Sequence, residues 1–268
     1  MSTGSGERHY PFDTTVAHPA RVYNYWLGGK DNFAADREAG ERAVTAGAKI
    51  LPGVRANRAF LRRAVRHLAG EAGIRQFLDI GTGLPSAGNT HQVAQEVAPE
   101  SRVVYVDNDP IVLAHARALL TGEAGTTDYV DADARDTGKI LEQASRTLDF
   151  DKPVAVLFLM ILQYIPDADD PTGIVHDIMQ AMPPGSYLAH SDTALDVSAD
   201  ANVVRSADKL NERMPTTQNL RTTTRLATYY AGLDLVEPGL VQLPQWRPDE
   251  EVDPTLILSA YCGVARKP

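Results

Sequence analysis

A chain of 268 residues, 43% hydrophobic and 23% charged, is long enough to bury the core of one sizeable α/β domain with an appendage. Its formal net charge of −9 at pH 7, with no Lys/Arg run, argues against a nucleic-acid binder, because phosphate contacts need a concentrated basic face. The single cysteine, Cys262, rules out an internal disulfide framework, and the longest apolar stretch, 154–162, is too short to span a bilayer.

Residues 1–15 read as disordered, and the start has no apolar core, so it is no signal peptide; a cytoplasmic protein is expected. Pro19 to Leu27 reads as a short helix carrying Val22, Tyr23, Tyr25 and Trp26, stopped by Gly28-Gly29. A second helical stretch runs from Asp31 towards Ala46 with a solvated, charged face. Pro52-Gly53 breaks the pattern before a third helix, Val54 to Ala69, with apolar residues at 54, 61, 65 and 68 and arginines at 55, 58, 62 and 66. Residues 1–72 therefore form a helical N-terminal cap or lid over one end of a sheet built from 73–268.

From Gln76 the rhythm changes. Apolar strands at 77–80, 103–106, 154–159 and 187–190 alternate with helical segments near 86–98, 110–120, 138–147 and 171–182, which is the signature of a parallel sheet buried on both faces. Asp170-Pro171 reads as a cap followed by a first-turn proline. A polar helix from about Ser198 to Arg213 interrupts the alternation. The tail returns to sheet at 233–236, 240–243 and 255–264, the last two segments forming an antiparallel edge. On that last strand, Cys262 reads as inert core.

Two strand ends carry the chemistry. Phe77-Leu78-Asp79-Ile80-Gly81-Thr82-Gly83-Leu84-Pro85 ends in a glycine turn, where a backbone without Cβ atoms bends sharply and approaches a ligand. A nicotinamide fingerprint would continue to a third glycine; here Pro85 and Ser86 stand instead, and Asp79 precedes the turn. A carboxylate there repels a pyrophosphate but holds an ammonium, so the pattern favours the amino-acid cofactor S-adenosylmethionine over a dinucleotide. One strand–helix–strand unit later, Val103–Asp107 ends in a carboxylate placed to take both hydroxyls of a ribose, with Asn108 at the adenine edge and Asp109 capping the helix from Pro110. Asp133 and the Ala134 N–H, in the acidic turn 131–136, are the candidate adenine partners; the bland alternative is a solvated acidic loop. Thr82, Leu159 and Arg58 complete the expected cofactor contacts, Arg58 as partner of the methionine carboxylate.

For the methyl acceptor, Gln163 and Tyr164 beyond the fourth strand are candidate orienting groups, or a structural amide and a half-buried phenol. His190, with Ser191 and Asp192, is a candidate general base pointing at the same cleft. Tyr23, Tyr25, Trp26 and Asn32 are candidate lid residues, or anchors of a helix on the sheet.

In motif order, 79–195 resembles the class I S-adenosylmethionine-dependent methyltransferases. The stretches His18-Pro19-Ala20-Arg21-Val22-Tyr23 and Leu27-Gly28-Gly29-Lys30-Asp31-Asn32-Phe33 are similar to one uncharacterised actinobacterial branch of them. The resemblance implies a Rossmann-like, doubly wound, seven-stranded, mostly parallel sheet with an antiparallel C-terminal edge. It also implies cofactor contacts at Asp79, Gly81, Gly83, Asp107, Asp133 and Ala134, and it supplies no catalytic residue. Pro85 departs from the commoner third glycine and stiffens the loop.

Other chemistries are unsupported. The histidines show no metal spacing, the group Asp167, Asp169, Asp170 reads as a helix cap, no Gly-x-Ser-x-Gly elbow follows a strand, and no Walker lysine follows the glycine turn. The expectation is methyl transfer to a small-molecule O or N acceptor. The alternatives are an NAD(P)-dependent oxidoreductase and a non-catalytic cofactor-binding module. The oligomeric state is not readable.

Overall fold

The computed structural model describes residues 13–47, 49–119, 126–195, 201–253 and 255–268. The first twelve residues of the expected disordered start, and 198–200 of the expected polar helix, lie outside them.

Three helices come first: α1 (Pro19–Trp26), α2 (Ala34–Thr45) and α3 (Ile50–Gly70). Pro52 does not break α3 as expected. It sits in the first turn, where a helical N–H has no intrahelical acceptor, so proline costs no hydrogen bond. Strands and helices then alternate: β1 (Gln76–Ile80), α4 (Thr90–Val97), β2 (Arg102–Asp107), α5 (Pro110–Leu119), β3 (Thr127–Asp131), α6 (Thr137–Ala144), β4 (Ala155–Leu159), α7 (Pro171–Ala181) and β5 (Tyr187–Thr193). The chain closes with α8 (Ala201–Asn211), α9 (Thr223–Ala227), β6 (Asp234–Leu235), β7 (Val241–Gln242) and β8 (Ala260–Arg266). Short α9, capped by the Thr222 side chain, has no counterpart in the sequence reading.

The sheet order is β3-β2-β1-β4-β5-β8-β6. The first five strands are mutually parallel, and β8 runs antiparallel to β5. Leu235 pairs with Ala265 and Val241 with Cys262, so β6 and β7 share the far edge of β8. Eight strands thus fill seven positions, and the expected edge hairpin reduces to two-residue contacts. Because the chain runs outward from β1 to β3 and then returns to β4, a crevice opens beyond the carboxyl ends of β1 and β4.

Strand alternation divides the core between the two faces. Leu78, Ile80, Val104, Val106, Val156, Phe158 and Leu188 face α6, α7 and the buried Tyr229-Tyr230 pair. Phe77, Val103, Tyr105, Ala155, Leu157, Ala189, Cys262 and Val264 face Phe60, Leu61, Ala64, Val65 and Leu68 of α3, together with α4 and Trp246. The third helix thereby belongs to the sheet core. Val22 of α1 and Ala39 and Ala43 of α2 instead cluster with Leu210 of α8 and with Met214. The apolar contacts of α1 and α2 are thus largely distinct from those of α3. No described helix is long and apolar enough to cross a membrane.

Candidate active site

Asp79, next to last in β1, lies on the α3–α4 face of the sheet and is only 4% exposed. Its carboxylate accepts the Thr90 hydroxyl of α4 at 2.6 Å, and among the described residues no cationic side chain stands within ion-pair distance. Burial pushes its pKa up to about 6, while Thr90 and the charge of Arg58 pull the other way. The turn that follows must be glycine at two places. Gly81 and Gly83 have φ of +74° and +66°, and a Cβ on Gly81 would lie 2.4 Å from the Ile161 side chain. Gly81 and Thr82 both donate their N–H to Val106 O at the end of β2, which holds the turn against the neighbouring strand.

Asp107 is buried like Asp79 but already bonded. One oxygen accepts Gly83 N–H at 2.7 Å, and the other accepts Asn108 N–H at 2.9 Å and Asp109 N–H at 3.0 Å. A carboxylate has about four acceptor sites, so one remains, on the oxygen that holds Gly83. Burial raises its pKa, opposed by the Asp109 and Gly83 N–H groups. Asp109 caps α5 through Ile111 N–H at 2.8 Å, as expected, and also meets His18 Nδ1 at 2.8 Å. At the end of β3, Asp133 is clasped by Arg135 Nε and Nη2, both at 2.8 Å, and accepts the Asn108 amide at 3.3 Å. Those contacts, Arg135 first, lower its pKa. The Ala134 N–H has no acceptor among the described residues.

The N-terminal helices are bolted to the ends of these strands. The Asp36 carboxylate, fully buried, accepts His18 N–H at 2.9 Å and Phe33 N–H at 2.8 Å, and stands 3.3 Å from Arg21 Nε. Arg21 lies 3.8 Å from Asp109, which joins α1 and α2 to the end of β2. Asn32 does not line the site; its amide ties Asn24 Oδ1 and Gly29 O, both at 2.9 Å. Tyr25 reaches outward to Glu41. Arg58 of α3 donates to Ala87 O and Gly88 O at 3.2 and 2.9 Å, beside the mouth of the glycine turn.

Beyond β4, Met160 holds φ of +60°, a conformation that side chains rarely adopt and that recurs at functional sites. Gln163 is 5% exposed and structural. Its Oε1 accepts Thr193 N–H and the Gln218 amide, its Nε2 reaches Met160 O, and its carbonyl receives Asn219. His190 is fully buried and turns away from the crevice: Nδ1 meets Tyr230 OH at 3.0 Å, and the ring packs edge-on against Tyr229. Side chains alternate along β5, so Ser191 points the opposite way and donates to Asn57 Oδ1 at 2.7 Å. Of the expected cluster only Ser191 is sent across the sheet; His190 Nε2 and Asp192 Oδ2 stay on one face, 3.4 Å apart and buried.

Two cavities lie among these described residues. The first, about 360 Å³, is lined by all ten expected cofactor residues: Arg58, Asp79, Gly81, Thr82, Gly83, Asp107, Asn108, Asp133, Ala134 and Leu159. The second, about 500 Å³, lies under α8 and is lined by Gln163, Trp26 and the start of α3. Tyr23, Met160 and Tyr164 line both. Burial raises the pKa of both tyrosines, so their hydroxyls stay protonated. His18, Asn24, Asn57 and Met160 are site residues the sequence reading missed; only the His18 and Asn24 neighbourhood carried a signal, in the aromatic N-terminal signature. Among the described residues no group of metal-ligating side chains occurs.

The family model described as S-adenosyl methyltransferase matches residues 5–268. No protein with a curated description matches the sequence. The crystal structure of a DUF574 family protein from Streptomyces avermitilis MA-4680 is 45% identical, with TM-score 0.91, over 96% of this chain and 99% of that one. A protein from Thermobifida fusca YX proposed to be a methyltransferase is 40% identical, with TM-score 0.89, over 95% and 96%. A mitomycin 7-O-methyltransferase, 19% identical, shares the fold alone, with TM-score 0.53 over 96% of this chain and 74% of that one. The chain belongs to the S-adenosyl methyltransferase family and is an S-adenosylmethionine-dependent methyltransferase with a Rossmann-like fold.

Proposed function

We propose that the first cavity holds S-adenosylmethionine with its ammonium on Asp79 and its carboxylate towards Arg58, and that the methyl passes to a small-molecule oxygen or nitrogen acceptor. The observation that carries this reading is the Asp79 carboxylate, buried without a cationic side chain beside it and so held at a pKa of about 6. A buried anion of that kind costs stability until a cation pairs with it, and an aminoacyl ammonium supplies one. The ribose lies at Asp107, whose Gly83-bonded oxygen has one acceptor site left, so the carboxylate takes one hydroxyl directly and fixes the glycine turn with its remaining sites. Adenine lies across Ala134 and Leu159, with the Ala134 N–H as a ring-nitrogen donor and Asn108 and Asp133 at its edge. Methyl transfer then needs little beyond alignment of nucleophile and sulfonium and exclusion of water, because the electrophile is already activated.

Thermal unfolding with added ligands tests the reading. S-adenosylhomocysteine raises Tm and NAD leaves it unchanged, and the reverse result returns the dinucleotide alternative. Isotopic methyl incorporation into an acceptor panel separates an enzyme from an idle cofactor-binding module.

A further inference from the structure

The second cavity has a composition of its own, and four observations bear on what it takes. Its walls are mostly apolar, with Trp26, Val54, Leu210 and Leu220 among them, and Ile257 at its rim is 51% exposed. Gly53 is buried in α3 at the wall, and a Cβ built on it meets no atom within 4 Å. Glycine inside a helix is disfavoured by about 1 kcal/mol relative to alanine, so a buried glycine beside open space keeps volume that the fold alone does not need. Lys49, the residue before α3, is on the lining, and among the described lining residues there is no carboxylate and no imidazole. Finally, Tyr23, Met160 and Tyr164 line both cavities, so the two adjoin at these side chains.

We propose that the second cavity is the methyl-acceptor site, and that its acceptor is an apolar organic anion of one or two rings whose nucleophile is an ionised oxygen, a carboxylate or a phenolate. This rests on the reading of the first cavity as the cofactor site. A volume of about 500 Å³ lies within the range of small-molecule pockets, roughly 300–1,000 Å³. The exposed ammonium of Lys49, which also acts on the Asp253 carboxylate, tips the site modestly towards an anion and away from a protonated amine. With no carboxylate or imidazole on the described lining to accept a proton, the nucleophile must arrive already ionised. Both tyrosines keep their protons; the buried Asp192 carboxylate acts on Tyr164, so Tyr23 is the better partner for an oxyanion at this boundary. Tyr23 OH accepts the Asn57 amide at 3.0 Å and spends its own hydrogen only on a long 3.4 Å contact to Val54 O, so that hydrogen can turn to a ligand. In the transfer step a lone pair of the oxyanion forms the new O–CH3 bond as the S–CH3 bond breaks. The S–C electron pair stays on sulfur as a thioether, the two opposite charges cancel, and no proton moves.

The test is calorimetric titration of the full chain with three isosteric probes: 2-naphthoate, 2-naphthylmethanol and 2-naphthylmethylammonium. Each probe is run with and without saturating S-adenosylhomocysteine. In wild type, naphthoate binds most tightly. Gly53→Phe, whose Cβ has open space around it and whose ring fills part of the cavity, weakens naphthoate at least about tenfold. Lys49→Met weakens naphthoate by about two- to fivefold, the range of an exposed charge pair, and leaves the neutral probe unchanged. S-adenosylhomocysteine affinity stays within about twofold of wild type in both variants. Equal binding of the three probes, tighter binding of the ammonium probe, or naphthoate affinity indifferent to Gly53→Phe overturns the proposal. Should S-adenosylhomocysteine fail to bind, the cofactor assignment falls, and the titrations without it still decide the cavity. Naphthoate that binds but competes with S-adenosylhomocysteine also overturns the proposal, because it places the probe in the first cavity.

Discussion

Replacing Asp79 by asparagine separates the stability of this chain from its cofactor affinity. The carboxylate is raised from 3.8 to about 6, chiefly by burial. At 1.36 kcal/mol per pH unit of displacement, its ionised form opposes folding at neutral pH by roughly 3 kcal/mol. Asparagine has nearly the same shape, keeps an acceptor for the Thr90 hydroxyl and carries no charge. The expected outcome is that Asp79→Asn unfolds at higher urea than wild type at pH 7.5, by a gain of up to roughly 3 kcal/mol. That gain shrinks as pH falls through about 6, because wild-type Asp79 then takes up a proton and loses its penalty. Cofactor affinity moves oppositely. An ammonium pairs with the carboxylate, not the acid, so S-adenosylhomocysteine binds wild type progressively less well below pH of about 6. In the variant the lost charge-assisted hydrogen bond, about 1.5–3 kcal/mol, weakens binding by about ten- to a hundredfold at pH 7.5. Urea denaturation and calorimetric titration at pH 5, 6 and 7.5 read both effects. Wild-type affinity in the asparagine variant would refute the ammonium role outright, and a loss of affinity accompanied by a loss of stability would show that Asp79 is merely structural.

Three further outcomes follow from the geometry. Gly81→Ala forces a Cβ to within 2.4 Å of Ile161 at a positive φ, so the glycine turn shifts: S-adenosylhomocysteine affinity drops by at least about tenfold, with the far-UV circular dichroism spectrum unchanged. Asp36→Ala removes the buried acceptor of His18 and Phe33 N–H and the nearer carboxylate of Arg21, and a two-state urea curve should register a loss of about 3–5 kcal/mol. His190→Asn costs stability through the Tyr230 contact, yet leaves cofactor binding and the pH profile of methyl transfer in place; a lost acidic limb in that profile would restore His190 as a base.

The legible parts of this protein were those fixed within one strand–turn–helix unit. The glycine turn after β1, the carboxylate ending β2 and the cap Asp109 each follow from local chain geometry, and all ten residues read as cofactor contacts converge on one cavity. What was illegible depended on distant partners. The bond from Gly83 N–H to Asp107 closes across 24 residues, and the amide of Gln163 is consumed by Gln218, 55 residues later. Neither partner has a periodicity that would announce it. His190 is a different kind of miss. Three consecutive polar residues in a strand cannot share a face, so the alternation of β5 already sent His190 and Ser191 to opposite sides. Pro52 is illegible for another reason: followed by Gly53 it reads as a break, whereas it occupies the first turn of α3, the position the sequence allows to Pro171.

The same geometry bears on how substrate enters. A cap hinged as a free lid would need its helices lightly attached, but α1 and α2 hold a buried Asp36, a buried Arg21 and the end of β2 in one network. Opening there would expose two desolvated charges together, and breaking a buried pair costs several kcal/mol. The first cavity is therefore walled by a rigid N-terminal block, which suits a cofactor that must be held in one pose. The second cavity is bounded on its other side by α8, which is held to α2 through Leu210 and the Ser206 hydroxyl on Ala43 O, and by the segment around Ile257, whose side chain is half exposed. Substrate exchange is cheapest on that side. On the proposed placement, the cofactor is held against the Asp36–Arg21 network, and the acceptor enters where the apolar Ile257 side chain meets solvent.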